Sequence, residues 1–211
     1  MVGTPMSQLY CCTMDVVSRD LTPRHEVRYP ETRKRLLELM REDQEDRLSG
    51  RFWGDPANPD AKLLDELIER DNARATEMLE LLEQIKTPSE RNVGLDGSRA
   101  IWLIAVHNMS HDIQRLVLKK MSRLYYKDKS QVFYPGIPYI VDVLTIESSL
   151  RAEDCRQLYG TRAYYDKDGS TQFFTILHPE KLNERRKKYG LGPYRNPDCT
   201  HHYYDRTEEN K

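Results

Sequence analysis

No long apolar run, no excess of one charge and no paired-cysteine motif stand out in this chain of 211 residues. Its 33 basic and 34 acidic side chains leave a net charge of -1, which gives no long-range field towards nucleic acid or an anionic membrane. Local basic runs such as Arg185 to Lys188 are flanked by acidic residues and read as a solvated helix face. No segment reaches the ~20 apolar residues that a membrane-crossing helix requires. Cys11, Cys12, Cys155 and Cys199 show no CxxC or zinc-finger spacing. The first twenty residues lack a basic segment followed by an apolar one, so a cytoplasmic protein with reduced thiols is expected. There is no GxSxG, no Walker loop and no dinucleotide fingerprint, which argues against nucleotide binding through those loops. Internal repeats and low-complexity tracts are also missing.

Although 32% of residues are charged and 38% hydrophobic, the apolar residues gather in periodic segments that can build a core. The expected fold is α+β and mainly α: a four-helix core, a C-terminal β-hairpin and a short terminal helix. Residues 1–30 read as an N-terminal arm, 31–195 as a single domain and 196–211 as a polar tail. Helices are expected over 31–47, 60–85, 98–126, with Ser98 as cap, and 138–151, where Pro138 suits the first turn. Loops fall at 50–59 and 87–96. Residues 158–165 and 170–177, rich in Tyr, Phe and Thr, flank Asp166-Lys167-Asp168-Gly169, a turn sequence suited to a hairpin. Pro179 opens the terminal helix and Gly190 closes it.

An α-helix advances about 100° per residue, so each side chain's bearing follows from its number. On helix one Leu36, Leu39 and Met40 set an apolar stripe that Asp43 and Arg47 continue, with Gln44 at its margin. On helix two Asp71 lies in the middle of the stripe of Leu67, Ala75 and Met78. On helix three His107, Ser110 and Gln114 fall within the stripe of Leu103, Val106, Ile113 and Val117, while Asn108, Asp112, Arg115 and Lys119 face water. On helix four Ile140, Val143, Leu144 and Leu150 bracket Glu147. A buried, unpaired charge costs several kcal/mol, so such groups pair, bind an ion or line a wet pocket. If the stripes meet in one core, Asp43, Arg47, Asp71, His107, Gln114 and Glu147 converge.

Weaker signals are present as well. His107 and His111 have i, i+4 spacing but lack the glutamate of a zinc-binding HExxH helix. His201 and His202 belong to the tail. Tyr159, Tyr164 and Tyr165 are good strand formers.

The string Asp43-Gln44-Glu45-Asp46-Arg47, the pair Asp71-Asn72, the helix residue His107 and the string Gln157-Leu158-Tyr159-Gly160-Thr161-Arg162 follow one another in an order that resembles a widespread bacterial family of unknown function. Its pattern is Asp-Gln-x-x-Arg, Asp-Asn, a helix histidine, then Gln-x-Tyr-Gly-Thr-Gln. Arg185, Arg186, Gly190 and Leu191 are similar to its closing motif, and the likeness covers about residues 31–195. Arg162 departs from the family's glutamine. Glu147 and Ser148 stand where that family often has Asp-Arg, so the carboxylate is kept and the guanidinium lost. The resemblance implies neither substrate nor reaction.

Two functions stay open at this stage. In the first, the chain is an enzyme or ligand-binding domain for a small polar or anionic molecule. His107, Asp43, Asp71 and Glu147 then form the acid–base set, and Arg47, Gln44, Gln114, Gln157, Tyr159 and Arg162 hold the ligand. No cofactor is evident; a divalent metal on Asp43, Asp71, His107 and Glu147 is the variant to test, against which Arg47 would repel a cation. In the second, the polar core only specifies packing, and a surface near Phe52 and Trp53 or the aromatic hairpin meets another protein. Neither reading involves nucleic acid or a membrane.

Overall fold

The computed structural model describes residues 21, 23, 25–52, 60–147, 155–165 and 171–194. It is mainly helical with a few short strands, as expected. Helix α1 spans Pro30–Leu48, α2 Ala61–Ile85, α3 Glu90–His107, α4 His111–Asp128, α5 Ile137–Glu147 and α6 Leu182–Lys188. Local chemistry sets the ends. Pro30 opens α1, where its missing N–H costs nothing. The Asp60 side chain accepts from Lys62 N at 2.9 Å and caps α2. At the far end, Gly190 (φ 69°) lets Leu191 N return to Arg186 O and Gly190 N to Lys187 O, which closes α6.

Helix α3 lies at the centre. From Ala100 to Val106 every residue is buried, as befits a helix surrounded by its neighbours. It packs against α1, α2, α4 and α5. Trp102, with no exposed surface, meets Tyr139 edge-on and Phe133 at a tilt, both with ring centroids 5.4 Å apart. Gly136 is required there, because a Cβ would come within 2.5 Å of the Trp102 ring.

Three sequence expectations change. The segment expected as a loop over 87–96 is largely helical: Ser89, not Ser98, accepts from Asn92 N and opens α3, with a break at Gly94 (φ 74°). Ser98 is instead fully buried, and its Oγ accepts from Phe133 N at 3.1 Å.

The single helix expected over 98–126 is two helices, so among the described residues the core has five main helices rather than four. Asn108 ends α3 in an extended conformation, and Ser110 caps α4. Both side chains compete with the helical ladder: Asn108 Oδ1 accepts from Ser110 N at 2.8 Å, and Ser110 Oγ accepts from Ile113 N. Asn108, assigned above to the wet face, is 2% exposed because it belongs to this joint.

The hairpin is shorter than expected. Strands β2 (Ala163–Tyr165) and β3 (Thr171–Phe173) pair antiparallel, with Tyr164 opposite Gln172. The turn over 166–170 lies outside the described residues. Leu158 to Gly160 are not strand. Before them β1 (Arg156–Gln157) pairs in parallel with β4 (Thr175–Ile176). Among the described residues no helix is long and apolar enough to cross a membrane.

Candidate functional site

Helix α1 supplies Asp43, Asp46 and Arg47 within little more than one turn, α2 supplies Arg70, Asp71 and Arg74, and α3 ends on His107. The i, i+3 and i, i+4 spacings put each helix's set on one face. Asp43 is 1% exposed. Its carboxylate receives Arg47 Nη1 at 2.7 Å and Gln44 Nε2 at 2.8 Å, and it lies 2.9 and 3.1 Å from His107 Nδ1. Arg47 then crosses to α2, donating to Asp71 at 2.7 and 3.2 Å. Arg74 continues the chain, to Asp71 at 2.7 Å and to Asp46 at 2.6 Å. Arg70 completes it with two bonds to Asp46, at 2.7 and 2.8 Å. The result is a ladder of alternating charge with the imidazole at one end.

Burial alone would raise the Asp43 carboxyl, but His107, Arg47 and Gln44 hold it below the ordinary carboxylate range. Burial likewise works against the Asp46 anion, and Arg70 with Arg74 outweighs it, so this carboxyl also titrates low. For His107 burial is the largest influence and lowers its proton affinity; Asp43 opposes this and Arg47 adds to it, leaving the ring below an ordinary histidine. Near neutral pH the imidazole is therefore uncharged. An ionised Asp43 can only accept, so the ring proton sits on Nδ1 and Nε2 carries a lone pair. Among the described residues Nε2 has no hydrogen-bond partner, and it is not among the sealed polar atoms; the side chain keeps 17% exposure.

Asn108, the residue after His107, anchors the end of α3. Its Nδ2 donates to Asn72 Oδ1 at 3.0 Å and to Asp71 O at 3.4 Å, tying the end of α3 to α2. Gln114, 1% exposed, donates from Nε2 to Asn108 O at 2.7 Å, and its buried Oε1 has no partner among the described residues. It touches the joint rather than the charged ladder.

Comparison with family models, curated proteins and solved structures finds no match. The likeness to the bacterial family therefore rests on the ordered motifs alone.

A second polar centre surrounds Asp142 on α5, which is fully buried. Its carboxylate accepts from the backbone of Leu158, Tyr159 and Thr161 and from Thr161 Oγ1, at 2.7 to 3.2 Å. Burial raises its proton affinity against the pull of those donors. Gln157 is also fully buried: its amide accepts from Arg162 N and donates to Arg162 O and Phe174 O. Tyr159 O accepts from Arg186 Nη1 at 2.7 Å, and its ring meets Tyr189 edge-on. Arg162 is 3% exposed. Gln157 thus spends its hydrogen bonds on the fold of the 157–162 loop.

Of the residues singled out in the sequence, the structure joins Asp43, Gln44, Arg47, Asp71 and His107. Gln157, Tyr159 and Arg162 gather around Asp142 instead. The Glu147 side chain lies outside the described residues. Asp46, Arg70, Arg74, Asn108 and Asp142 belong to these two centres and the joint without being among the residues singled out in the sequence. As for a metal, Asp43 and Asp71 already carry guanidinium groups where a metal site needs bare donors. Among the described residues no group of three or more His, Cys, Asp or Glu side chains is placed to hold an ion.

Proposed function

We propose that Asp43 and His107 form an acid–base dyad in a site for a small polar substrate. One observation carries this: a buried carboxylate lies 2.9 Å from Nδ1 of an imidazole whose burial disfavours its charged form, while Nε2 has no partner among the described residues. Asp43 would fix the tautomer and stabilise the imidazolium formed when Nε2 takes a proton, and Nε2 would return that proton to the leaving group. Arg47 and Asp71 would hold Asp43 in place. The ordered motifs shared with the bacterial family support treating these residues as one site. The protein would act in the cytoplasm, where Cys155 stays a thiol.

One observation favours the other reading, an interaction module with a purely structural core. The carboxylates of Asp43, Asp46 and Asp71 all have guanidinium partners within the ladder, so it could serve only to specify packing. The substitutions His107→Asn and His107→Gln separate the two. A structural histidine, once its buried hydrogen bond is broken, costs about 1–3 kcal/mol of stability. A working histidine can be replaced by at least one of these amides with the melting temperature unchanged or raised. In that case turnover of a panel of esters, amides and phosphoesters by the wild type should vanish in the stable variant. Destabilisation by both substitutions, with no wild-type turnover, would favour the structural core.

A further inference from the structure

Within the ladder of described residues the charges balance. Asp43, Asp46 and Asp71 face Arg47, Arg70 and Arg74, three anions against three cations, all linked by bonds of 3.2 Å or less. Arg47, which shares the Asp43 carboxylate with His107, gives Nη1 to both Asp43 and Asp71 and Nη2 to Asp71. An arginine that clamps an incoming carboxylate or phosphate end-on offers its Nη1–Nη2 fork, and on Arg47 that fork is filled by Asp71. The neutral ring offers no second attraction, since its one N–H belongs to Asp43 and Nε2 presents electrons. An oxyanion brought to Nε2 would meet lone pair against lone pair with no uncommitted cation in the ladder to offset the loss of its hydration.

We infer that the ligand of this site approaches His107 Nε2 with an uncharged O–H or N–H group, as an alcohol, an amide or a water does, and that the site discriminates against oxyanions. The inference rests on the proposal that His107 is the working group, and it narrows the ligand from the polar or anionic molecule expected from sequence to a neutral hydrogen-bond donor. Arg47 becomes a positioning residue: it holds Asp43 and disfavours the imidazolium, and it does not touch the ligand.

The test uses the full chain and diethyl pyrocarbonate, which acylates the bare nitrogen of a neutral imidazole, with His107 followed by peptide mass spectrometry. First, His107 should be modified in the wild type near neutral pH. An inert His107 would remove the acid–base reading itself, and this inference with it. Given a reactive His107, the second step is protection. Acetamide and ethylene glycol should slow its modification, about twofold at the concentration that fills half the sites. Phosphate and acetate at matched ionic strength should not. Protection by either anion, or none by the neutral donors, would overturn the inference while leaving the reactive dyad standing. Arg47→Gln supplies the control: under the inference its His107 modification shifts in pH profile, with the neutral-over-anion order of protection kept. An anion protection present in the wild type and lost in Arg47→Gln would assign Arg47 to the ligand instead.

Discussion

His107 Nδ1 lies 2.9 Å from Asp43 Oδ2, bringing the last residue of α3 onto the buried face of α1. This contact draws on two chain segments 64 residues apart, and it orients the ring through Nδ1. The rest of the charged ladder extends from the same carboxylate.

Arg74 is the rung whose loss should be felt most. It is 5% exposed and bridges Asp71 to Asp46. Arg74→Met should destabilise the fold by about 3 kcal/mol, because breaking a buried pair leaves charge behind. Arg70 and Arg47 still hold the two carboxylates, which keeps the loss from being larger. Urea denaturation measures it. Combining Arg74→Met with Asp46→Asn should cost clearly less than the sum of the single changes, as expected of directly bonded partners. Additive effects would mean that the ladder is not one unit.

Arg99 on α3 presents the opposite case. It is half-buried, its Nε is sealed from solvent, and burial lowers its proton affinity; among the described residues no acceptor meets that Nε and no carboxylate compensates. Arg99→Met keeps much of the stem's packing and removes the uncompensated charge. The expected outcome is a melting temperature equal to or above that of the wild type. A drop equivalent to more than about 1 kcal/mol would show that the guanidinium itself stabilises the fold.

The neutral His107 also gives stability a pH dependence with a definite sign. Its folded proton affinity lies below the unfolded value of 6.5, so the unfolded chain binds the extra proton first. This contribution is fully present above pH 6.5 and is lost as pH falls from there towards the folded value. Asp43 adds a separate loss only at more acid pH, below its unfolded 3.8. Wild-type stability should therefore decline on acidification from pH 7 to 5, and His107→Gln should show a shallower decline. Parallel slopes in urea titrations of the two proteins would contradict the assignment.

The sequence made Asp43, Arg47, Asp71 and His107 legible because helical bearings need only a local helix, and α1, α2 and residues 98–107 of α3 are helical as the periodicity expects. It failed at Gln114, whose bearing was measured across the Asn108–Ser110 break and so referred to the wrong axis. The caps that cause the break are present in the sequence as Asn and Ser, but apolar periodicity on both sides masks them. Asp46 and Arg74 are not singled out by the stripes because each lies about 60° from Asp43 or Asp71, at i+3, close enough to join the ladder through a long guanidinium. Asp142 carries a signal that the same arithmetic contains, one turn from both Tyr139 and Ile146. What no bearing shows is its partners, the backbone amides of a distant loop. The 157–162 string looked like a ligand-binding motif, whereas its amide and backbone groups bind one another and Asp142.

The most direct test of the central claim is the protonation state of His107, read by long-range proton–nitrogen correlation on histidine-labelled protein. Near neutral pH the account predicts a protonated Nδ1 and a bare Nε2, with the ring gaining its second proton only below the pH of an ordinary histidine. Asp43→Asn, which offers Nδ1 an amide donor, should release this preference and populate the tautomer protonated on Nε2. A wild-type ring protonated on Nε2, or charged on both nitrogens at neutral pH, would contradict the acid–base dyad.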